Sequence, residues 1–425
     1  MRIVHVTDGI QETCGVSQFV VHVAREQQAM GHQVTIVTTM TCGFPVADLQ
    51  VILTPNPVEA LARLKLDSSA ILHIHTFWGR YCLKAMTWAR RSGVPYVLSP
   101  HGALMPEAVK VRYWKKLLCL GLYRANYRQA KGYHATAKSE VDSIHRFLGD
   151  SRPVVVAPLG CEIGEPKFAG PSESDKYRDV VFVGRIHPVK NLDSLIRAWA
   201  LMGKGLGVRG QELGGEVRVA SSSGEELGVR GQELEVRVAS SSSRRRLIIA
   251  GSNDVGHQEE LVELAKSLGL KVIDFSHDLE FGKKQIMGGG EVPVETFQKR
   301  LADCDADVVF TGPVYSAAKD WMYRHAWVSV LPSHSENFGG VVVEALSQGT
   351  PVIASKGTPW QMLDEMGCGW WTENDEVSLS DVLKTALELM GDARTIRSTK
   401  SLKLVREKFS WRASAKTLDA LYRAN

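Results

Sequence analysis

The segment from Ser333 to Ser355, SHSENFGGVVVEALSQGTPVIAS, constrains the fold of this chain more than any other part of it. An apolar run that ends at Leu331 precedes the segment and predicts a buried strand, which Pro332 terminates. The run VVVEAL then predicts a helix that ends before Gly349, and the following VIA predicts a second strand. A strand, a loop, a helix and a strand in this order are one unit of a parallel α/β sheet.

The loop of this unit contains the residue types that an anionic ligand requires. Gly339 and Gly340 let a ligand approach the backbone, and the free N–H groups at the start of a helix attract a phosphate. Glu336 precedes the glycines, whereas Glu344 lies inside the predicted helix, so the two carboxylates cannot share one helix face. We expect them to contact different parts of one extended ligand. A nucleotide sugar fits, because it has sugar hydroxyls at one end and ribose hydroxyls at the other.

The same segment resembles a known family. Glu336 and Glu344, with seven residues between them, match the paired-glutamate signature of retaining glycosyltransferases with the GT-B fold. The complete string, with AsnPheGlyGly, GluAla and GlyThrPro, is most similar to glycosyltransferase family 4 of the group 1 type. The alternative interpretation is a βαβ unit with two surface acids, since glutamates at this spacing are common. The length of the matching string favours the family.

Length and composition restrict the class of protein. A single core stops growing at about 250–300 residues, so 425 residues predict two domains. The net charge of +4 does not indicate nucleic-acid binding, and the seven cysteines contain no CxxC pair that would predict a disulfide framework or a zinc site. The chain opens on a strand-like run with no signal peptide, and no apolar run reaches the ~20 residues of a membrane span. We therefore expect a cytoplasmic enzyme.

The first half of the chain alternates strand-like and helix-like segments. Apolar runs that begin at Ile3, Ile71 and Tyr96 predict strands, and residues 31–38 predict a turn and a further strand. Phe19 begins the first predicted helix, after a glycine turn. The alternation predicts a parallel sheet with helices on both faces, in which ligands bind at the carboxyl ends of the strands.

Three residues of this half are candidates for that ligand-binding edge. Gly15 lies in the predicted turn of residues 14–18, where a plain turn glycine is the alternative and the absence of a GxGxxG motif argues against dinucleotide binding. His101, in SPHGALMP, directly follows a strand and resembles the family histidine that contacts the donor sugar; a structural histidine is the alternative. His75 either orients His101 or lines the acceptor cleft.

The second half repeats the architecture. The run VVFVGRIHPVKNL at 180–192 predicts a strand, then Gly184 and Arg185, and then Lys190 at a helix start. A guanidinium and an ammonium at such a junction can bind a diphosphate, although solvated loop cations are the alternative. The string resembles the donor-phosphate motif of the family, except that Asn191 replaces the glycine that commonly follows the lysine. Because asparagine tolerates positive φ, we expect the turn to be kept.

The resemblance implies the GT-B fold, an α/β architecture in which two Rossmann-like domains face each other across a cleft and a C-terminal helix returns to the first domain. The implied units are an acceptor-binding domain at 1–170, a nucleotide-sugar-binding domain at 171–408 and a terminal helix at 409–425. A further strand, at 308–314, places Gly312 near the donor.

The resemblance also implies roles for residues. It assigns donor binding to Gly15, Gly184, Arg185, Lys190, Gly312, Asn337, Phe338, Gly339, Gly340 and Glu344. It assigns catalysis to His101, Arg185, Lys190 and Glu336. The implied reaction moves a sugar from a nucleotide-diphosphate donor to a glycan or lipid-linked acceptor, with retention and without a metal ion or other cofactor, in polysaccharide or glycoconjugate biosynthesis. Front-face transfer with leaving-group stabilisation is the implied mechanism.

Two other functions remain open from the sequence. The first is a non-catalytic protein that binds nucleotide sugars. The second is a metal-dependent transferase that uses Asp303 and Asp305, whose Asp-x-Asp spacing matches a metal motif of another glycosyltransferase fold. That spacing is frequent by chance and precedes a predicted strand here, so we favour a helix end for this pair.

Residues 108–139 are strongly basic. They include eight lysines and arginines and no acid, interleaved with aromatic residues such as Trp114 and Tyr123. A basic amphipathic helix can lie on an anionic membrane surface, so this segment is a candidate for peripheral contact with the inner membrane face. An ordinary solvated helix face beside an anionic acceptor site is the alternative.

Two irregular inserts interrupt the second half, at about 203–245 and 271–299. In the first insert, LGVRGQEL occurs at 206–213 and at 227–234, and EVRVASSS occurs at 216–223 and at 235–242. Two nearly identical copies indicate a recent duplication, since a solenoid needs three or more packed repeats. The composition of the block predicts a solvated excursion from the domain.

Overall fold

Two parallel seven-stranded sheets, one in each half of the chain, organise the computed structural model. The structure describes residues 1–424 except 12–13, 44, 163, 168, 205–243, 254 and 277–292, and both sheets lie within these ranges. The repeat block predicted at 206–242 lies outside the described residues, as does the centre of the second predicted insert. The two sheets confirm the expected pair of Rossmann-like folds.

The first sheet is built from nearly continuous aliphatic runs, as is typical of a parallel sheet with both faces covered. The strands of this half are β1 (Arg2–Val6), β2 (Ile10–Gln11), β3 (Gln33–Thr38), β4 (Thr41–Cys42), β5 (Gln50–Leu53), β6 (Ala70–His75), β7 (Tyr96–Ser99), β8 (Gly132–Ala135) and β9 (Val154–Val156). Their order in the sheet is β5-β3-β1-β6-β7-β8-β9, and β2 and β4 pair separately.

The helices of the first half include one that begins earlier than predicted. They are α1 (Gly15–Ala29), α2 (Pro57–Arg63), α3 (Arg80–Ser92), α4 (Pro106–Lys110), α5 (Tyr113–Leu122), α6 (Arg124–Arg128) and α7 (Lys138–Leu148). The glycine turn predicted at 14–18 is therefore wrong, because Cys14 is the N-cap residue and Gly15 is the first residue of α1. The buried side chains of Ser17 and Phe19 hold this first turn against the core.

The second sheet repeats the design of the first. Its strands are β10 (Tyr177–Val183), β11 (Arg244–Ala250), β12 (Val272–Asp274), β13 (Val308–Phe310), β14 (Val328–Leu331), β15 (Val352–Ser355) and β16 (Gly369–Thr372). Their order is β12-β13-β11-β10-β14-β15-β16, and all neighbours are parallel.

The helices of the second half fix the limits of the inserts. They are α8 (Leu192–Lys204), α9 (His257–Ser267), α10 (Val294–Ala302), α11 (Ser316–His325), α12 (Gly340–Ser347), α13 (Met362–Met366), α14 (Glu376–Glu388), α15 (Gly391–Lys408) and α16 (Trp411–Arg423). Both ends of the insert predicted at 271–299 are regular, since β12 pairs with β13 and α10 begins at Val294.

The last helix of the chain packs on the first half. Trp411, Leu418 and Leu421 of α16 are buried in one cluster with Ile3 and Phe19. The Ser410 side chain caps the helix by accepting a hydrogen bond from the Ala413 N–H at 3.1 Å. The domain boundaries at residues 170 and 408 stay predictions.

The strand orders locate the ligand-binding edge. In the first sheet the connections run in opposite directions on either side of the gap between β1 and β6, and in the second on either side of the gap between β10 and β14. Ligands of open α/β sheets bind outside the carboxyl ends of the strands at such a reversal. The segments that follow β10 and β14 contain Arg185 and Glu336, respectively.

Candidate functional site

A cleft of about 590 Å³ lies between the carboxyl ends of the two sheets. It is lined by the segments that follow β10, β11, β13 and β14 and, from the opposite side, by the start of α1 and by Trp411. The predicted donor-binding residues in its walls are Gly15, Gly184, Arg185, Gly340 and Glu344. The structure thus brings residues that are far apart in sequence to one cavity.

The wall beside Arg185 is made of closely packed backbone. The Gly184 N–H donates to the Ala250 carbonyl at 3.0 Å, and a Cβ atom at Gly251 would lie only 1.7 Å from the Gly184 carbonyl oxygen. A side chain at Gly251 would therefore separate the two segments. Their contact leaves the backbone accessible to a ligand, with the exposed Arg185 side chain at its edge.

Lys190 and Glu336 form a shielded ion pair. The Lys190 ammonium contacts Oε1 of Glu336, and the two side chains are only 15% and 14% exposed. The same carboxylate oxygen accepts a hydrogen bond from the Ser333 hydroxyl at 2.9 Å. Neither Lys190 nor Glu336 is part of the cleft lining, so the structure does not bring this pair into the cavity with the other predicted donor-binding residues.

A tight turn at Asn191 positions Lys190. Residues Pro188–Lys190 form one 3₁₀ turn, and Asn191 has a φ of 56°, so the expected positive-φ turn is kept without a glycine. The Asn191 side chain is buried and donates from Nδ2 to the Asn374 carbonyl at 2.7 Å. This contact gives the asparagine a function in the turn that a glycine would lack.

Glu344 has different partners. It lies on α12, where one carboxylate oxygen accepts from Lys319 Nζ at 3.1 Å and the other from the Tyr323 hydroxyl at 3.3 Å. Burial, together with the charge of Glu344, raises the pKa of Tyr323 well above its usual value, so this hydroxyl remains a donor. Separate cations therefore hold the two glutamates, and their assignment to different parts of one ligand stays a prediction.

The loop between the glutamates connects the two halves. Asn337 Nδ2 donates to the Thr136 hydroxyl of the first half at 2.7 Å, and a Cβ atom at Gly102 would lie 3.0 Å from the Asn337 side chain. Thr136 and Gly102 in turn donate their backbone N–H groups to the buried Glu140 carboxylate, at 2.8 and 2.5 Å. Burial raises the pKa of Glu140, while these hydrogen bonds oppose that shift.

Phe338 and the two glycines determine the shape of the loop. The Phe338 side chain is buried against Trp360 and Phe409, and Trp360 Nε1 donates to the Phe338 carbonyl at 2.5 Å. Gly339 has a φ of 76°, and a Cβ atom there would lie 2.8 Å from Leu331. Helix α12 begins at Gly340, so its first N–H groups have no partner within the helix. Phe338 thus supports the loop through its side chain.

His101 lies on the opposite side of this interdomain contact. It adopts an uncommon φ of 51°, and its Nε2 atom is 3.0 Å from Nδ1 of His75. Its ring contacts Phe19 edge to face, with the ring centroids 5.5 Å apart. Burial lowers the pKa of His101 well below its usual value, and nearby His134 contributes to the shift. The sequence left two roles open for His75, and its hydrogen bond to His101 fits the role of orienting that ring.

Gly312 lies next to the cleft and does not line it. Its φ is 72°, and its carbonyl accepts from the Gly251 N–H at 3.0 Å. The residues that follow it, Pro313 and Val314, line the cleft, whereas Gly312 itself does not. Gly312 therefore shapes the cleft through the backbone of its neighbours.

Asp303 and Asp305 lie at the amino ends of the second sheet, away from the cleft. Asp303 is the C-cap residue of α10, as the sequence predicted for a helix end. Asp305 accepts hydrogen bonds from the Tyr177 hydroxyl at 2.8 Å and from Lys271 at 3.1 Å, and it pairs with Arg244. The Tyr177 hydrogen bond, followed by that of Lys271, lowers the pKa of Asp305.

Lys319, Gly251 and Thr136 are site residues that the sequence analysis missed. Gly251 could have been found, because it ends an apolar strand at the ligand-binding edge. Lys319 and Thr136 gave no signal, since each acquires its role from a partner that is distant in sequence.

Two family models match the chain. The model described as a glycosyl transferase 4-like domain matches residues 14–160, most of the first half. The model described as glycosyl transferases group 1 matches residues 280–389, which include Glu336 and Glu344.

D-inositol 3-phosphate glycosyltransferases are similar to parts of the chain. The protein of Segniliparus rotundus is 35% identical over 111 residues, which are 24% of this chain and 23% of that protein. The protein of Actinosynnema mirum is 26% identical over 222 residues, which are 49% of this chain and 37% of that protein. The chain thus spans well under half the length of these curated relatives.

Solved structures resemble the whole chain. Anabaena HepE, crystallised with UDP and glucose, has a TM-score of 0.64 at 14% identity, and the match covers 100% of both chains. WaaG, a glycosyltransferase involved in lipopolysaccharide biosynthesis, has a TM-score of 0.63 at 13% identity and covers 99% of this chain and 100% of its own. At such identities the likeness concerns the fold, and it confirms the predicted GT-B architecture. The two matching family models show that the chain belongs to the group 1, family 4-type glycosyltransferases.

Proposed function

We propose that the chain transfers a sugar from a nucleotide-diphosphate donor to a glycan or lipid-linked acceptor, with retention of the anomeric configuration and without a metal ion. The observation that supports this most is the arrangement around the start of α12. Glu344 lines the cleft beside Lys319, and Glu336, which precedes α12, pairs with Lys190. Two carboxylates with separate cations suit a ligand that has hydroxyls at both ends and a diphosphate between them.

The diphosphate would bind between Arg185 and the first turn of α12. The free N–H groups at Gly340 and the guanidinium of Arg185 are complementary to phosphate oxygens. Glu344 would accept hydrogen bonds from the ribose hydroxyls, with Lys319 holding its carboxylate in place. Both Arg185 and Lys319 line the cleft, so positive charge is available there without a divalent cation.

The sugar would lie between Glu336 and His101. The contact between Gly102 and Asn337, which are the neighbours of these two residues, brings both to the same end of the site. Oε1 of Glu336 is engaged by Lys190 and Ser333, and the positive charge of Lys190 lowers the nucleophilicity of this carboxylate. This supports front-face transfer. The acceptor hydroxyl attacks the anomeric carbon as the bond to the diphosphate oxygen breaks, and the hydroxyl proton passes to the departing oxygen.

The reaction tests the proposal directly. Anabaena HepE has been crystallised with UDP and with UDP-glucose, so UDP-sugars are the first donors to examine. A panel of nucleotide sugars is incubated with candidate glycan and lipid-linked acceptors, with and without EDTA, and the released nucleotide diphosphate and the product mass are measured. Binding without release would favour the non-catalytic alternative. Loss of activity in EDTA would favour a metal-dependent transferase, although the engaged position of Asp305 argues against it.

We also propose that α4 and α5 contact an anionic membrane surface, which would bring the enzyme to a lipid-linked acceptor. Trp114, Leu118 and Leu122 are 79%, 64% and 71% exposed, and α5 contains no buried residue. The same segment contains Lys110, Arg112, Lys115, Lys116 and Arg124. This combination is typical of helices that lie in a membrane interface. None of the described helices has the length and apolar character needed to cross a membrane.

Replacing Arg185 by alanine should lower kcat/KM by about a hundredfold. The side chain would stabilise charge that develops on the leaving diphosphate, and removing one such group typically costs ~3 kcal/mol. Arg197→Ala is the matched control, because Arg197 is a half-exposed arginine that pairs with Glu376 outside the cleft. Steady-state kinetics with released nucleotide diphosphate as the readout would measure both. Equal activity of the two folded variants would show that Arg185 does not bind the diphosphate.

Replacing each of the two glutamates by alanine should have a different effect on binding and on catalysis. Glu344→Ala should weaken binding of the donor and of the free nucleotide diphosphate alike, because both contain the ribose. Glu336→Ala should reduce kcat and leave affinity for the free nucleotide diphosphate nearly unchanged, because that ligand has no sugar. Calorimetric titration beside steady-state kinetics measures the two effects. A similar loss of nucleotide affinity in both variants would contradict this division of roles.

Replacing Trp114 and Leu118 by serine should reduce binding to vesicles that contain an anionic phospholipid, since the apolar part of the interaction is removed. Val377→Ser is the control, because Val377 is 62% exposed on α14 in the second half. Vesicle sedimentation at low and high salt measures binding. Unchanged sedimentation of the double variant would show that α5 is not the contact surface.

A further inference from the structure

A continuous chain of hydrogen bonds connects the Ala157 carbonyl to the ring of His101. It passes through four buried histidines, one glutamine, one serine and the last tyrosine of α16. The members, in spatial order, are Ala157, His134, Ser99, His73, Tyr422, Gln27, His5, His75 and His101. The chain therefore joins the C-terminal helix to the candidate site without passing through solvent.

The five histidines that this chain of hydrogen bonds connects are neutral. Burial lowers the pKa of His5 and of His134 to about 4, and it lowers the pKa values of His73, His75 and His101 well below their usual range. The mutual proximity of the rings opposes protonation as well. A neutral imidazole has one N–H donor and one lone-pair acceptor, so fixing one nitrogen determines the other.

The Ala157 carbonyl fixes the direction of the first half of the chain, because a carbonyl oxygen can only accept. His134 donates to it from Nε2 at 2.7 Å, so His134 Nδ1 is an acceptor and the Ser99 hydroxyl must donate to it at 2.6 Å. The Ser99 oxygen then accepts from His73 Nε2 at 2.5 Å. His73 Nδ1 is consequently an acceptor, and the Tyr422 hydroxyl donates to it at 2.5 Å.

The second half of the chain follows from the first. Since the Tyr422 proton is committed, its oxygen accepts from Gln27 Nε2 at 3.4 Å, which turns Gln27 Oε1 toward His5. His5 donates to that oxygen from Nε2 at 2.7 Å, so His5 Nδ1 accepts from His75 Nε2 at 2.9 Å. His75 Nδ1 then accepts from His101 Nε2 at 3.0 Å. The proton of His101 is thereby placed on Nε2.

We propose that this series of hydrogen bonds holds His101 in the Nε2–H tautomer and leaves its Nδ1 atom as a hydrogen-bond acceptor for a ligand. Tyr422 and Gln27 are the positioning residues. Within the part of the chain that the structure describes, Nδ1 of His101 has no hydrogen-bond partner, and the residue is only half-buried. That a ligand binds at Nδ1 of His101 rests on the proposed function. A lone pair at this position accepts from a sugar hydroxyl and repels a phosphate oxygen.

The same histidines are also close enough to suggest a metal ion. One ring nitrogen from each of His5, His73 and His75 lies within 4.8 Å of the others. The hydrogen bonds traced above already use both ring nitrogens of all three residues, so a metal ion would have to displace several of them. Hydrogen-bonded positioning therefore accounts better for the arrangement.

The tautomer can be measured without any donor. Protein with ¹⁵N-labelled histidine is examined by long-range ¹H–¹⁵N correlation NMR, because protonated and unprotonated ring nitrogens differ widely in chemical shift. His101→Gln identifies the His101 signals, and the spectrum is repeated after treatment with a chelator. We expect a protonated Nε2 and an unprotonated Nδ1, unchanged by the chelator. A protonated Nδ1, or a spectrum that the chelator alters, would overturn the proposal.

Tyr422→Phe tests the role of the C-terminal helix. Without the hydroxyl, the constraint from Ala157 no longer reaches Gln27, so the amide can reverse and His101 should populate both tautomers, with averaged ring shifts. If the two become equal, kcat/KM should fall about twofold, since the competent fraction halves. Tyr81→Phe is the control, because the Tyr81 hydroxyl is buried in the same half and has no hydrogen-bond partner among the described residues.

The outcomes separate this proposal from the proposed function. Unchanged His101 shifts in Tyr422→Phe would show that Tyr422 does not position the ring, even if the enzyme is active. If Tyr422→Phe does not fold, the wild-type spectrum still decides the tautomer. The expected tautomer in a protein that releases no nucleotide diphosphate would support the hydrogen-bond chain and contradict the transferase function.

Discussion

The structure depends on the way in which the last helix joins two hydrophobic cores. Phe409 is buried with Phe338 and Trp360 in the core of the second half, and Trp411, only two residues later, is buried in the core of the first half. The chain thus crosses between the sheets within one turn, where Ser410 also bridges to Cys161. Because the same aromatic cluster supports the loop at Phe338, the packing that unites the domains also shapes the loop between Glu336 and Glu344.

Much of the architecture could be predicted because its signals are local. The strand–loop–helix–strand unit around Glu336 and Glu344 forms where its apolar runs predicted it. The positive φ at Asn191 could be predicted because asparagine tolerates this conformation whatever its neighbours are. The error at Gly15 has a tertiary cause: a glycine suggests a turn, but the burial of Ser17 and Phe19 extends α1 to the cleft. The first end of the second insert is regular because β12 pairs with β13, which is also a long-range contact.

The partners within the site could not be predicted, because each is distant in sequence. Nothing near Glu344 indicates Lys319, and nothing near Asn337 indicates Thr136. One feature of the sequence does indicate the cluster of histidines. His73 and His75 alternate along β6, and residues two apart in a strand point to the same face. This alternation predicts neighbouring rings, but the identity of Tyr422 as their partner depends on where the last helix docks.

The hydrogen bond from Asn337 to Thr136 has a consequence for the rate of turnover. It links the two halves, and a single intramolecular hydrogen bond contributes only about 1 kcal/mol net. This hydrogen bond by itself therefore opposes opening only weakly, whereas the aromatic junction at Phe409 and Trp411 resists separation. We expect the halves to rotate about that junction on the microsecond-to-millisecond timescale of domain motions. In the proposed reaction, substitutions at Asn337 should therefore change the rate of product escape, and with it the upper limit on turnover, without touching the reacting atoms.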